Sequence, residues 1–267
     1  MGKAEKLTQS QIDGVQYRRA KLWQIIMVAS NGLVGMGFYC LIGLASYSAS
    51  IGFGIATVAV GGILTFTRIF DAITDPMLAF IYDKVNTRFG KVRILLAAGW
   101  VVMVLGVLLM FNWAAGKGHG IIAFILIYML YIIGYTLYNM TGQTLFPLMT
   151  NDPKQRPMVG VWSTIFNYIV PIALNMVYYV TLMPKYGGYN QGFLAAACWI
   201  TVGVSAVGLI LACIGISEYD KPENFVGTMT KKEKLKLKDM LEVLKNNRPL
   251  QCYIASAASD KIAQQVA

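Results

Sequence analysis

The chain has 267 residues, of which 56% are hydrophobic and only 13% charged, with a formal net charge of +10. A soluble domain carries about a quarter of its residues as charges, so too few are present here to cover a water-exposed surface. The basic residues flank apolar blocks instead of forming a patch, which excludes nucleic acid as the expected partner and points to the lipid bilayer.

A helix crossing the hydrocarbon core, roughly 30 Å thick, needs about 20 mostly apolar residues. Residues 1–21 are polar and basic and read as an extramembrane N-terminal segment, not a cleavable leader. Six spans follow, at Leu22–Tyr47, Gly52–Ile81, Ile94–Trp113, Ile121–Leu148, Val159–Met183 and Gly192–Ile216, so that residues 22–216 form a six-helix bundle. Residues 217–248 form a basic connecting loop. Within it Lys231–Leu244 is amphipathic, as in a helix lying on anionic lipid or a solvated linker helix. Residues 249–267 read as the start of a seventh span that stops at Ala267, so half of a larger bundle pair is expected, unable to transport alone. The fold class is all-α membrane protein.

Connections between spans alternate in charge. Of the 23 Lys and Arg, 19 fall in the N-terminal segment, the second and fourth connections and the segment after span six. Lys117 and Lys185 lie in the opposite set, while Arg68 and Lys261 fall within spans. The positive-inside rule then places the N terminus in the cytoplasm of a multi-pass cell-membrane protein. Cys40, Cys198, Cys213 and Cys252 lie in or beside apolar stretches without metal-ligand spacing and read as packing residues. His119 sits among glycines with no partner for a metal. Nothing resembles a nucleophilic triad, a metal-ligand cluster or a phosphate loop, so a carrier is expected in preference to an enzyme, with no cofactor beyond a coupling cation.

The chemistry-bearing stretch is in the second span. Arg68, Asp71 and Asp75 are spaced i, i+3 and i+7 and share one helix face, flanked by Thr67 and Thr74. Ionisable groups inside a membrane cost at least about 2.5 kcal/mol each, so they must face a cavity or each other. Two carboxylates and one guanidinium sum to −1, which a bound Na⁺ or H⁺ would neutralise. Asp71 and Asp75 are therefore candidate ligands for a metal cation (Na⁺) or proton acceptors. The competing reading is a structural interhelical ion-pair lock, and the second carboxylate favours cation coupling. Pro76 would free a carbonyl one turn earlier. Past this span, Asp83, Arg88, Lys91 and Arg93 surround a turn at Gly90. They are either positive-inside flanking charges or a gate on the cytoplasmic side that pairs and separates between conformations.

Together these residues resemble the glycoside–pentoside–hexuronide:cation symporter family, a branch of the major facilitator superfamily. The likeness rests on Arg68-Ile-Phe-Asp71-Ala-Ile-Thr-Asp75-Pro76, Asp83 and Arg88-Phe89-Gly90-Lys91. It continues through Tyr135-Thr136, Pro147, Asn151-Asp152-Pro153-Lys154-Gln155-Arg156 and Asn247-Arg248-Pro249. The resemblance implies a twelve-helix carrier of the bacterial inner membrane moving a solute with Na⁺, Li⁺ or H⁺, in which this chain supplies the N-terminal half and a C-terminal six-helix half is its partner. It implies cation ligands at Asp71, Asp75 and Thr136. The family's sugar-binding aspartate of span one has no counterpart around Asn31–Gly37, its fourth-span aspartate is Asn139, its following tryptophan is Gln143, and its fifth-span arginine aligns near Thr164.

The sugar-like solute is thus left open. Asn139, Gln143, Asn31, Tyr39 and Trp162 are the candidate substrate residues, because neutral amides and aromatics suit a hydroxyl-rich ligand. Helix–helix hydrogen bonding is the alternative role, especially for Asn31. A non-transporting receptor or scaffold and a lipid or lysolipid carrier are the other function classes in view.

Overall fold

Among the described residues of the computed structural model, five helices are long and apolar enough to cross a membrane. They are α1 Leu22–Gly52, α2 Val92–Trp113, α3 Gly120–Met149, α4 Arg156–Tyr186 and α5 Gln191–Ile216. The structure describes residues 14, 17–63, 66–67, 90–221, 247–249, 251–252, 256 and 259, with no strand among them. Helix is also present at 57–63 and 66–67, inside the second predicted span. Arg68, Asp71, Asp75, Asp83 and Arg88 lie outside the described residues, as does the segment 222–246.

The chain divides into two compact units, 1–224 and 225–267. In the second, residues 248–249, 251–252, 256 and 259 are helical, and the Gln251 amide donates to the Asn247 carbonyl at 3.1 Å.

Two helix ends, those of α1 and α4, extend further than the apolar pattern predicts, while α2 ends at Trp113 as expected. The first span was expected to stop at Tyr47, yet Ser48–Gly52 continues it as a π-helical turn. Leu109–Trp113 and Val177–Leu182 close α2 and the outer part of α4 in the same way. A π turn inserts one residue into the helical ladder, so the helix continues while its hydrophobic periodicity slips. Pro147 and Pro171 lie inside α3 and α4 without ending them. α1 is interrupted at Ser30–Asn31, where the Asn31 amide reaches back only to the Val28 carbonyl at 3.0 Å.

Backbones meet where side chains are absent. A Cβ on Gly99 would lie 2.7 Å from the Tyr138 amide nitrogen, and one on Gly134 would lie 2.5 Å from that of Met103. α2 and α3 therefore pack in direct backbone contact, as small residues permit in membrane bundles where lipid offers no hydrophobic driving force. α5 approaches α1 similarly through Gly208 and Gly215, seven residues apart on one face, against Leu33 and Met27–Val28. Phe38, Phe111, Phe124, Tyr178 and Phe193 fill the interior between these seams and are fully buried.

Candidate functional site

Two sets of polar side chains divide the bundle: one bonded together at a rim, one unbonded on an open face. The rim lies at the end that carries most of the basic residues. There the extended residues before α1 cross the connection between α3 and α4. The Arg18 amide donates to Asn151 Oδ1 at 2.6 Å, and Thr150 Oγ1 donates to the Arg18 carbonyl at 3.0 Å. The Ala20 amide donates to Gln155 Oε1 at 2.8 Å, while Gln155 Nε2 donates back to the Ala20 carbonyl at 2.6 Å. Arg19 pairs with Asp152. The Lys154 amide at 2.9 Å, with the Arg19 guanidinium beside it, holds the Asp152 carboxyl below its usual range despite burial.

The same segment reaches the end of α5. The Arg18 guanidinium lies 5.6 Å over the Tyr219 ring, Gln24 Nε2 donates to Glu218, and the Tyr219 hydroxyl donates to Gln24 Oε1 at 2.8 Å. Asp220 then crosses to α2, where its carboxylate accepts from the amides of Lys91, Val92 and Arg93 and from Arg93 Nε. Arg93, expected among the gate charges, thus has a partner inside its own bundle, and Lys91 contributes its backbone.

The open face belongs to α3 and α4. Thr136 is 3% exposed, turned into the bundle, whereas Asn139 and Gln143 are exposed. Neither amide makes a hydrogen bond among the described residues. Counted from Met149 they lie about 15 and 9 Å along the helix, well within the thickness of a membrane. An unsatisfied amide at that depth in lipid would cost roughly 2–7 kcal/mol, so this face must meet water, a ligand or another polar surface.

Beside it, a cavity of about 460 Å³ opens between the end of α3 and the start of α4, lined in part by Phe146, Pro147, Thr150, Arg156, Ser163 and Thr164. Ser163 and Thr164 likewise make no hydrogen bond among the described residues. Tyr39 on α1 is 57% exposed, and Trp162 is half-buried on α4.

Asn31 stands apart from the other expected solute residues. The Tyr138 hydroxyl donates to its carbonyl at 3.2 Å and to its side-chain oxygen, and a Cβ on Gly142 would lie 3.2 Å from its Nδ2. It is engaged in an α1–α3 contact. Residues the sequence did not single out are Asp220, Ser163 and Gln24. An acid at a helix end in a basic segment reads as a solvated charge, and one serine within a span reads as packing.

Among the described residues no group of three or more His, Cys, Asp or Glu could hold a metal ion. The acids expected to take the cation, Asp71 and Asp75, lie outside that set.

Comparison with known proteins adds a family to this geometry. The profile described as MFS/sugar transport protein matches residues 27–266. The uncharacterized symporter YnaJ of Bacillus subtilis is 27% identical over 236 residues, covering 85% of this chain and 50% of YnaJ. A glucuronide carrier protein homolog of Escherichia coli is 28% identical over 233 residues, 85% of this chain and 49% of that protein. YagG of Escherichia coli, named a candidate glycoside/cation symporter, is 26% identical over 173 residues, 64% of this chain and 37% of YagG. The chain spans about half the length or less of these relatives.

Proposed function

Because the chain belongs to the MFS/sugar transport protein family, a family of multi-pass membrane carriers and not of enzymes, we propose that it forms the N-terminal half of a cation-coupled symporter for a glycoside or related sugar-like solute. The observation that carries the solute side is the uncommitted Asn139 and Gln143 on α3, beside Ser163 and Thr164 on α4. Side chains of this kind can exchange hydrogen bonds with water for hydrogen bonds with sugar hydroxyls at little net cost. The names of the relatives, glycoside/cation symporter and glucuronide carrier, agree with that class.

The cation side rests on charge. Arg68, Asp71 and Asp75 are spaced i, i+3 and i+7, as residues sharing one helix face would be, and sum to −1; a bound Na⁺ or an added H⁺ brings the cluster to zero. A neutral cluster is cheaper to occlude from water than a charged one. Loading would therefore favour the closed intermediate of alternating access, which couples solute movement to the cation. Thr136, buried on α3, would add a hydroxyl oxygen to that site, as the family resemblance implies. A second six-helix bundle completes the cavity on the open face of α3 and α4. The basic rim faces the cytoplasm of the cell membrane by the positive-inside rule.

The test is uptake of labelled glycosides by the full-length protein in proteoliposomes, under an imposed Na⁺ or H⁺ gradient. Accumulation should require one of the two gradients and vanish in Asp71→Asn/Asp75→Asn, while equilibrium solute binding persists. Gradient-driven accumulation surviving both substitutions would refute the coupling role.

A further inference from the structure

Arg93 is fixed by a carboxylate that has no capacity to let it go. Asp220 Oδ1 accepts from the Lys91 amide at 3.0 Å and the Val92 amide at 3.2 Å. Its Oδ2 accepts from the Arg93 amide at 2.9 Å and from Arg93 Nε at 3.2 Å. Arg93 Nη2 returns to the Asp220 carbonyl at 3.3 Å. An ionised carboxylate has about four lone-pair sites, and these four donors fill them. Three of the donors are amides at the N-terminus of α2, whose first turn has no intrahelical acceptors and carries the positive end of the helix dipole.

The surroundings close the remaining routes. The Asp220 side chain is 0% exposed. Gly90 has φ +101°, and a Cβ there would fall 2.2 Å from Asp220 Oδ2, so the carboxylate occupies the space a side chain would need. The preceding residues Glu218 and Tyr219 are tied to Gln24 and Arg18 at the start of α1. Arg18 is in turn tied to the α3–α4 connection. Opening the Asp220 contact would strand a buried, unpaired charge, the costly half of a broken ion pair.

We propose that Asp220 is a positioning residue that bolts the start of α2 to the end of α5, and that this bolt stays closed throughout the carrier's cycle, so that Arg93 belongs to the rigid frame and not to a moving gate. The statement about the cycle rests on the alternating-access reading above; the bolt itself does not. A gate charge must exchange partners in every turnover. Here the acceptor is saturated and buried, and the two residues before it are tied to Gln24 and Arg18.

The experiment is backbone hydrogen exchange of the full-length protein at Lys91, Val92 and Arg93. It is read with neither solute nor cation, with saturating Na⁺ alone, and with Na⁺ plus a transported glycoside. Protection at the three amides should agree within about twofold across the three conditions. A change of tenfold or more between any two would overturn the proposal, since it would mean the bolt opens in one state. Asp220→Ala should lose at least tenfold in protection at these amides; protection retained there would also overturn it.

If Asp220→Ala does not fold, Arg93→Ala is read in its place, with the three amides expected to stay protected because they bond to the carboxylate directly. Loss of their protection in Arg93→Ala would overturn the backbone-anchoring part. A protein that shows no uptake but keeps these amides protected would count against the function proposed above and leave the bolt standing.

Discussion

The rim and the open face contain the same kinds of groups in opposite conditions. At the rim Gln24, Gln155, Asn151, Asp152 and Asp220 all have partners, half of them backbone groups far away in sequence. On the face of α3 and α4, Asn139, Gln143, Ser163 and Thr164 have none among the described residues. A polar side chain with its bonds made holds helices in place, and opening it costs stability. One left unbonded at membrane depth gives the fold nothing and is retained for what it meets from outside. The contrast teaches that bonding state, more than residue type or burial alone, separates frame from candidate site in this bundle.

The sharpest way to break the comparison is to unmake the rim. Asp220→Ala removes the carboxylate that three helix-terminal amides and Arg93 Nε share and should destabilise the bundle by about 3–5 kcal/mol. Its thermal midpoint in detergent should fall accordingly. The open face should respond oppositely. Asn139→Ala and Gln143→Ala should move the midpoint little, because no internal bond is lost. In the full-length protein each should raise the solute KM about tenfold, equivalent to about 1.4 kcal/mol. A large stability loss in either, or an unchanged KM in both, would erase the distinction.

Asn31 sharpens the boundary, because sequence reasoning placed it with the solute residues and the structure bonds it to Tyr138. Asn31→Ala should cost about 1 kcal/mol of stability, the net value of an ordinary hydrogen bond, and leave KM alone. A raised KM with an unchanged midpoint would return it to the site.

Helix existence was legible for the five described spans because span length is set by bilayer thickness and each of those apolar blocks meets it. Ends were less legible. The π turns at Ser48–Gly52 and Val177–Leu182 carry no charge or proline that marks them. The expected loop at Ala49–Ile51 is accordingly part of α1, and α4 runs past Met183 to Tyr186. The candidate residues of α3, Thr136, Asn139 and Gln143, came from a motif within one helix, and the structure separates the buried first from the exposed other two. The rim was not legible, because its pairs join residues more than 100 positions apart, such as Arg19 with Asp152 and Lys91 with Asp220. Such pairs have no local spacing to betray them. Arg93 illustrates the consequence: alone it reads as a gate charge, and only its distant partner reveals it as a tie.

The smallest expected effect concerns acid. The folded Asp152 carboxyl titrates below its ordinary value of 3.8, held down by the Lys154 amide and Arg19. A depressed acid contributes stability that is fully present above the ordinary pKa and is lost as pH falls through the folded one. The rim should therefore be insensitive to pH from neutrality down to about 5, and should weaken only as the pH drops through and below the ordinary value. Asp152→Asn should lose part of the tie near neutrality and flatten that acid-side slope, so that its thermal midpoint converges on the wild type in acid. Because Arg19 is largely exposed, solvent screening keeps its share small, and most of the slope should come from the amide bond. Arg19→Gln should then retain most of it. If Arg19→Gln removes the slope entirely, the exposed ion pair and not the backbone holds this part of the rim.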